Sequence, residues 1–304
     1  MDLILLPITT LHLLAANIAA AGPLFAAWLG HRSRSREAAA GAVGLQLAQL
    51  SLGALVVLVA TGVAQVFAPG REALFSAAAR FPSRDLWIAC AEVLFSLVMT
   101  LLLLAAWRGS RFRTVLAWSA AVLTASNLLY HFPPLMLVLA RLKADSLWTT
   151  EREITRAVFR GLMTRGEVVS LTVHFGLASV AVAAVAALWL EARQRAFDTP
   201  SDSEQPKRSK IGQAAALVAG GVTAVQFPIG LWVLVSSPTA TFNALAGGSP
   251  LHALAFASGI VASLLLLQRL AAYVLDGQTK AAANNIAVVT AAVVALMTLT
   301  LGAK

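Results

Sequence analysis

Four of the five histidines and one glutamate hold most of the chemistry this sequence could perform. His12, His131, His174 and His252 fall inside or at the ends of long apolar runs, as does Glu92, whereas His31 sits among arginines between runs. An ionisable side chain within an apolar span is costly and by default marks a functional site. Glu167, Ser170 and His174 recur at the three- and four-residue spacing that places them on one helix face, Asn127 and His131 do the same, and Ser96 and Thr100 continue the face of Glu92. Imidazoles at matching depth on different helices are what haem b needs, because two must approach the iron from opposite sides of a flat ring. His12 with His174 is one pairing, and His131 with either is the rival. Nearby Ala15, Ala16, Gly22, Gly176 and Ala178 leave room for a macrocycle, and equally allow helices to pack closely without one. Glu92 is the candidate catalytic group, as a proton-relay carboxylate, with membership of a His and Glu metal site or a neutral structural carboxyl group as its alternatives. His12, His131, His174 and His252 also make a candidate metal set, against the plainer reading of each as a group that bonds a neighbouring helix.

These residues need helices to carry them, and the composition says where those helices lie. The 304 residues are 59% hydrophobic and 12% charged, with a mean hydropathy of +0.78, well beyond a soluble domain. A helix crosses a hydrocarbon core with about 20 mostly apolar residues. Eight such runs can be laid out, at 3–29, 44–68, 86–107, 114–140, 167–190, 211–236, 250–274 and 283–302. The expected fold is therefore an all-α, polytopic transmembrane bundle of about eight spans. The first run is read as a retained helix and not a cleaved signal, because Asp2 stands where a positive segment belongs and the run is too long. Cys90 is the only cysteine, so an intrachain disulfide or a cysteine-clustered metal site is excluded.

The net charge of +9 sits in the gaps between apolar runs, where it signals topology and not nucleic-acid binding. The gaps after the first, third, fifth and seventh runs, with Arg269 at the end of the seventh, carry 13 of the 23 Lys and Arg residues. That bias favours an inner (cytoplasmic) membrane location with both termini outside. In that orientation His12 lies roughly 15 Å, and His174 about 10 Å, from the outer start of its run at 1.5 Å per residue. His131, just before the Pro133-Pro134 break, and Glu92 are at a similar outer depth. The stretch "SLWTTEREITRAVFRGLM" repeats Trp148, Ile154, Val158 and Leu162 on one face, which predicts an amphipathic helix on the membrane surface or capping the bundle. Residues 193–210 are polar, Ser- and Pro-containing and aperiodic, as in a flexible cytoplasmic linker.

The two sides of that linker are alike. "TLHLLAANIAAAGPLFAAWL" at 10–29 answers "TVHFGLASVAVAAVAALWL" at 172–190, with His12 on His174, and "TGVAQVFAPGREALF" at 61–75 answers "IGLWVLVSSPTATF" at 229–242. Two tandem four-helix repeats are expected, over 1–142 and 167–304, joined by the surface segment 143–166.

The opening "LHLLAANIAAAGPLFAAWL" resembles the first helix of copper-resistance D-type membrane proteins, where a histidine near the outer end precedes a Gly-containing apolar run. In architecture the chain is similar to duplicated four-helix proteins that hold haem b through helix histidines, such as haem A synthase. The last span carries no histidine, unlike either family's full pattern, so the resemblance implies a ligand role for His12 alone. No nucleotide-binding glycine loop, nucleophile elbow, metalloprotease His-Glu pair or Cys-x-x-Cys-His is present, which excludes soluble-style hydrolases and kinases. The function expected is a membrane haem b protein that passes electrons, possibly a subunit of a membrane oxidoreductase, with quinone and a redox partner protein as its partners. A transporter for copper or a small solute, and an accessory subunit of a membrane complex, are the alternatives.

Overall fold

Helices account for nearly all of the computed structural model, which describes residues 5–33, 38–68, 71–107, 111–198, 209–276 and 278–301. In chain order they are α1 (Leu6–Ser33), α2 (Ala38–Val66), α3 (Arg71–Ala78), α4 (Ser83–Ala105), α5 (Arg111–Ser126), α6 (Phe132–Ala144), α7 (Arg156–Met163), α8 (Gly166–Asp198), α9 (Lys210–Ser236), α10 (Thr239–Asn243), α11 (Pro250–Leu275) and α12 (Lys280–Thr300). No strand occurs among the described residues. With α5 and α6 joined as one span over Arg113–Ala144, eight helices are long and apolar enough to cross a membrane. The chain is a multi-pass, all-helical membrane protein. An even number of crossings puts the start of α1 and the end of α12 on one face, the terminal face; the connection after α8 leaves from the opposite, linker face.

The centre of the bundle is built from small residues. Ala15, Ala19, Ala20, Ala21, Ala26 and Ala27 of α1 and Ala183, Ala184 and Ala187 of α8 are buried, and short side chains let helix backbones approach closely in a membrane. At Gly22 a Cβ would come within 2.2 Å of Ser51 Oγ on α2, so only glycine permits that crossing. α1 packs along α2 and α5, α8 along α9 and α12, α4 on α5, α11 on α12, and α1 meets α8 directly. Where α1 and α8 meet, Ser179 Oγ donates to Asn17 Oδ1 at 2.8 Å, with both residues buried. The periphery is the reverse: Val59, Trp87, Leu94, Val225, Leu231, Val261 and Val288 are exposed, as lipid-facing positions should be.

Three expectations need correction. Pro133 and Pro134 do not break the fourth span. A π-helical turn over Asn127–His131 precedes them, and they occupy the first positions of α6. The wider turn absorbs the two N–H groups that proline cannot supply and relieves the ring clash with the preceding turn. The amphipathic helix expected over the 146–163 stretch covers only Arg156–Met163. Thr155 caps it by accepting from Val158 N, and the guanidinium of Arg80 holds the preceding residues in a loop by donating to the carbonyls of Ser146, Thr149 and Glu151. Ile154 and Leu162 are buried against Phe81, Val138, Leu139 and Leu142, with Trp148 and Val158 beside them, so the apolar face caps the bundle. Finally, α8 continues to Asp198, so residues 193–198 are helical and not linker; residues 199–208 lie outside the described residues.

Candidate functional site

Each histidine singled out in the sequence is positioned differently. His12, two turns into α1, places Nδ1 3.0 Å from Thr61 Oγ1 on α2. The Thr61 hydroxyl donates its own hydrogen to the Val57 carbonyl at 2.7 Å. While that hydrogen is so placed, the Thr61 oxygen can accept from Nδ1–H of a neutral imidazole, the tautomer that leaves the lone pair on Nε2. Gly62 makes room for the ring: a Cβ there would be 3.3 Å from His12 Cε1.

His131, at the end of the π turn, has Nδ1 2.6 Å from Glu92 Oε1 on α4, with side-chain exposures of 48% and 23%. The short contact is a charge-assisted hydrogen bond, and it again leaves Nε2 without the proton when the ring is neutral. Asn127, one turn earlier, donates to the Glu92 carbonyl and to Ser96 Oγ, both at 2.8 Å. Ser96 and Thr100 are buried below it, and Thr100 donates to the Ser96 carbonyl. The polar faces of α4 and the fourth span thus close on one another, as their spacing anticipated.

The polar face of α8 also turns inward. Glu167 pairs with Arg141 and accepts from Trp148 Nε1, and buried Ser170 donates back to the Glu167 carbonyl. His174 differs from His12: its Nδ1 is buried with no hydrogen-bond partner. Thr10 Oγ1 and Gln65 Nε2 are buried without partners as well, and both lie at the same end of the bundle as His12. His252 only meets Ser249 Oγ, at 2.7 Å, where α11 begins. The π turn that carries His131 packs against α1, α4 and α8, so the helices bearing His12, Glu92, His131 and His174 converge on it. Among the described residues no three His, Cys, Asp or Glu side chains are grouped to hold a metal ion.

A second polar cluster, at the linker face, was missed by the sequence reading. Glu191 and Arg195 sit one helical turn apart on α8, with Oε1 and Nε 2.6 Å apart and the Glu191 side chain only 4% exposed. Arg195 also donates to Tyr273 Oη at 3.3 Å and to the Gln278 carbonyl at 3.1 Å, and Gln278 Oε1 accepts from Ser209 N. Gly212 forms the floor: a Cβ there would meet Glu191 Oε2 at 3.0 Å, Tyr273 Oη at 3.1 Å and Gln278 Oε1 at 3.3 Å. The signal was available in "WLEARQR", where Glu191 and Arg195 are spaced as an i, i+4 pair, but the position read as the polar end of a span. No protein-family model, curated protein or solved structure matches this chain.

Proposed function

We propose that this protein is a membrane haem b electron-transfer protein, with the haem held near the terminal face between α1, α8 and the π turn. The observation that carries the reading is the 3.0 Å contact between His12 Nδ1 and Thr61 Oγ1, which can hold the ring with its proton on Nδ1. A histidine that ligates iron through Nε2 almost always donates its other N–H to a fixed acceptor, which sets both tautomer and ring orientation. His12 would hold the haem iron together with His174 or His131. His131 is held for that role by Glu92. The partnerless His174 Nδ1, Thr10 Oγ1 and Gln65 Nε2 support a bound group in this region, since buried polar atoms in proteins are rarely left unsatisfied. When bound, haem b supplies one-electron transfer. Glu92, bonded to His131, is the group able to hold or release a proton as that charge changes. Quinone and an external redox protein are the proposed partners, in an inner membrane with the terminal face outside.

The halves are proposed to be tandem repeats about an axis along the membrane normal. Asn17 and Ser179, matched by the same offset that matches His12 with His174, hydrogen-bond to each other, which is what a two-fold axis requires of residues lying on it. The Glu92–His131 pair also favours a second reading, a transporter driven by proton movement.

Replacing His12 or His174 with alanine tests the ligand assignment. Loss of the haem absorption bands in His12→Ala, with His252→Ala unchanged as a control, is the expected result. Full haem content in both His12→Ala and His174→Ala refutes it.

A further inference from the structure

At the linker face, away from the histidines, a notch of about 430 Å³ opens between α11 and α12. Its walls include Arg269, Asp276, Thr279 and Asn285, with Ala272, Ala281 and Ala282 as an apolar lining. Arg269 and Asp276 are both exposed, and neither side chain forms an ion pair or hydrogen bond with another described residue. They are seven residues apart on α11, so they share one face and are separated by about 10 Å along the axis. Two opposite charges left unpaired on one helix face, with a pocket between them, fit a ligand that itself carries both signs.

Their order along the membrane normal identifies the ligand. α11 runs toward the linker face, so Arg269 lies deeper and Asp276 lies at its end. A phospholipid in that leaflet presents, from the bilayer centre outward, acyl chains, phosphate and then the head-group amine. Arg269 is at the depth of the phosphate, its apolar stem free to run along the helix with the guanidinium at the interface, and guanidinium is the better matched cation for phosphate oxygens. Asp276 is at the depth of the amine. A primary ammonium offers three N–H donors to the Asp276 carboxylate, whereas a quaternary ammonium offers none.

We propose that this notch binds a membrane phospholipid with a phosphoethanolamine headgroup, Arg269 taking the phosphate and Asp276 the ammonium. The site is independent of the haem reading.

The test is lipid retention by the full-length protein in detergent, read by native mass spectrometry after adding phosphatidylethanolamine, phosphatidylcholine or phosphatidylglycerol of identical acyl chains, or soluble phosphoethanolamine. The expected result is preferential retention of phosphatidylethanolamine. Arg269→Gln should weaken retention of all three lipids about tenfold, the value of one charge-assisted contact. Asp276→Asn should abolish only the preference for ethanolamine over choline. Both positions are exposed, and unchanged thermal melting of the two variants is the folding control. Equal retention of the three lipids, a preference for phosphatidylglycerol, or unaltered selectivity in both variants overturns the proposal. Displacement of the lipid by equimolar soluble phosphoethanolamine overturns the lipid as the source.

Discussion

Two glycine contacts at the linker face sit in opposite chemistry. Where α1, α2 and the end of α4 meet, Leu29, Gly44 and Trp107 pack together: a Cβ on Gly44 would come within 2.5 Å of the Trp107 ring and 2.9 Å of Leu29 Cβ. Where α8, α9 and α11 meet, Gly212 faces Glu191, Tyr273 and Gln278. The glycine is common to both, because in each case the neighbouring helix presses a side chain onto its backbone. What fills the space differs: an indole and an aliphatic side chain in one, a buried ion pair with a phenol in the other. Helix geometry therefore does not dictate polarity at this level, and the second end keeps a costly buried charge that the first shows to be dispensable for packing.

The largest effect should come from breaking that ion pair. Glu191→Leu leaves Arg195 without its carboxylate and should cost about 3 kcal/mol of stability. Adding Arg195→Ser to Glu191→Leu copies Leu29 and Ser33 of the first end and should restore most of the loss, as a double-mutant cycle by thermal or denaturant unfolding can measure. Additive losses would show that the two ends are not interchangeable. Next in size are the glycines. Gly44→Ala forces a methyl into a large aromatic ring, a clash costing about 2 kcal/mol, whereas Gly212→Ala meets only side-chain oxygens at 3.0 Å or beyond. The melting temperature should fall further for Gly44→Ala, and the opposite ranking would mean that the polar cluster is the more tightly built of the two.

A smaller contrast lies at the terminal face, where the proposed repeat matches Thr61, beside His12, with Ile229. Thr61→Val removes one hydrogen bond to the ring, worth about 1 kcal/mol, and should weaken haem retention about tenfold. Ile229→Thr should give the orphaned His174 Nδ1 an acceptor and strengthen retention. Measured haem content that ignores both changes would separate these histidines from the cofactor.

Much of this was legible in advance. All eight spans follow from apolar runs long enough to cross a bilayer, and the inward faces of Glu92, Ser96 and Thr100, of Asn127 and His131, and of Glu167, Ser170 and His174 follow from helical spacing. What spacing does not reveal is which atom meets which. The Thr61 contact depends on the rotation of α2 against α1, and the Glu191 cluster depends on Gln278, a residue between helices with no periodic signal. The fourth run extends through Pro133 and Pro134, but nothing in "SNLLYHFPP" announces the π turn that replaces the expected break there. Likewise, alternating charge and apolar residues over 145–155 look helical until Arg80, distant in sequence, binds their carbonyls.

The most direct test of the central claim is a dithionite-reduced minus oxidised visible spectrum of the detergent-purified protein, with haem quantified against protein. Sharp bands of a bis-histidine haem b at near-stoichiometric content are the predicted result. A flat spectrum from folded protein, expressed with ample haem, would contradict it.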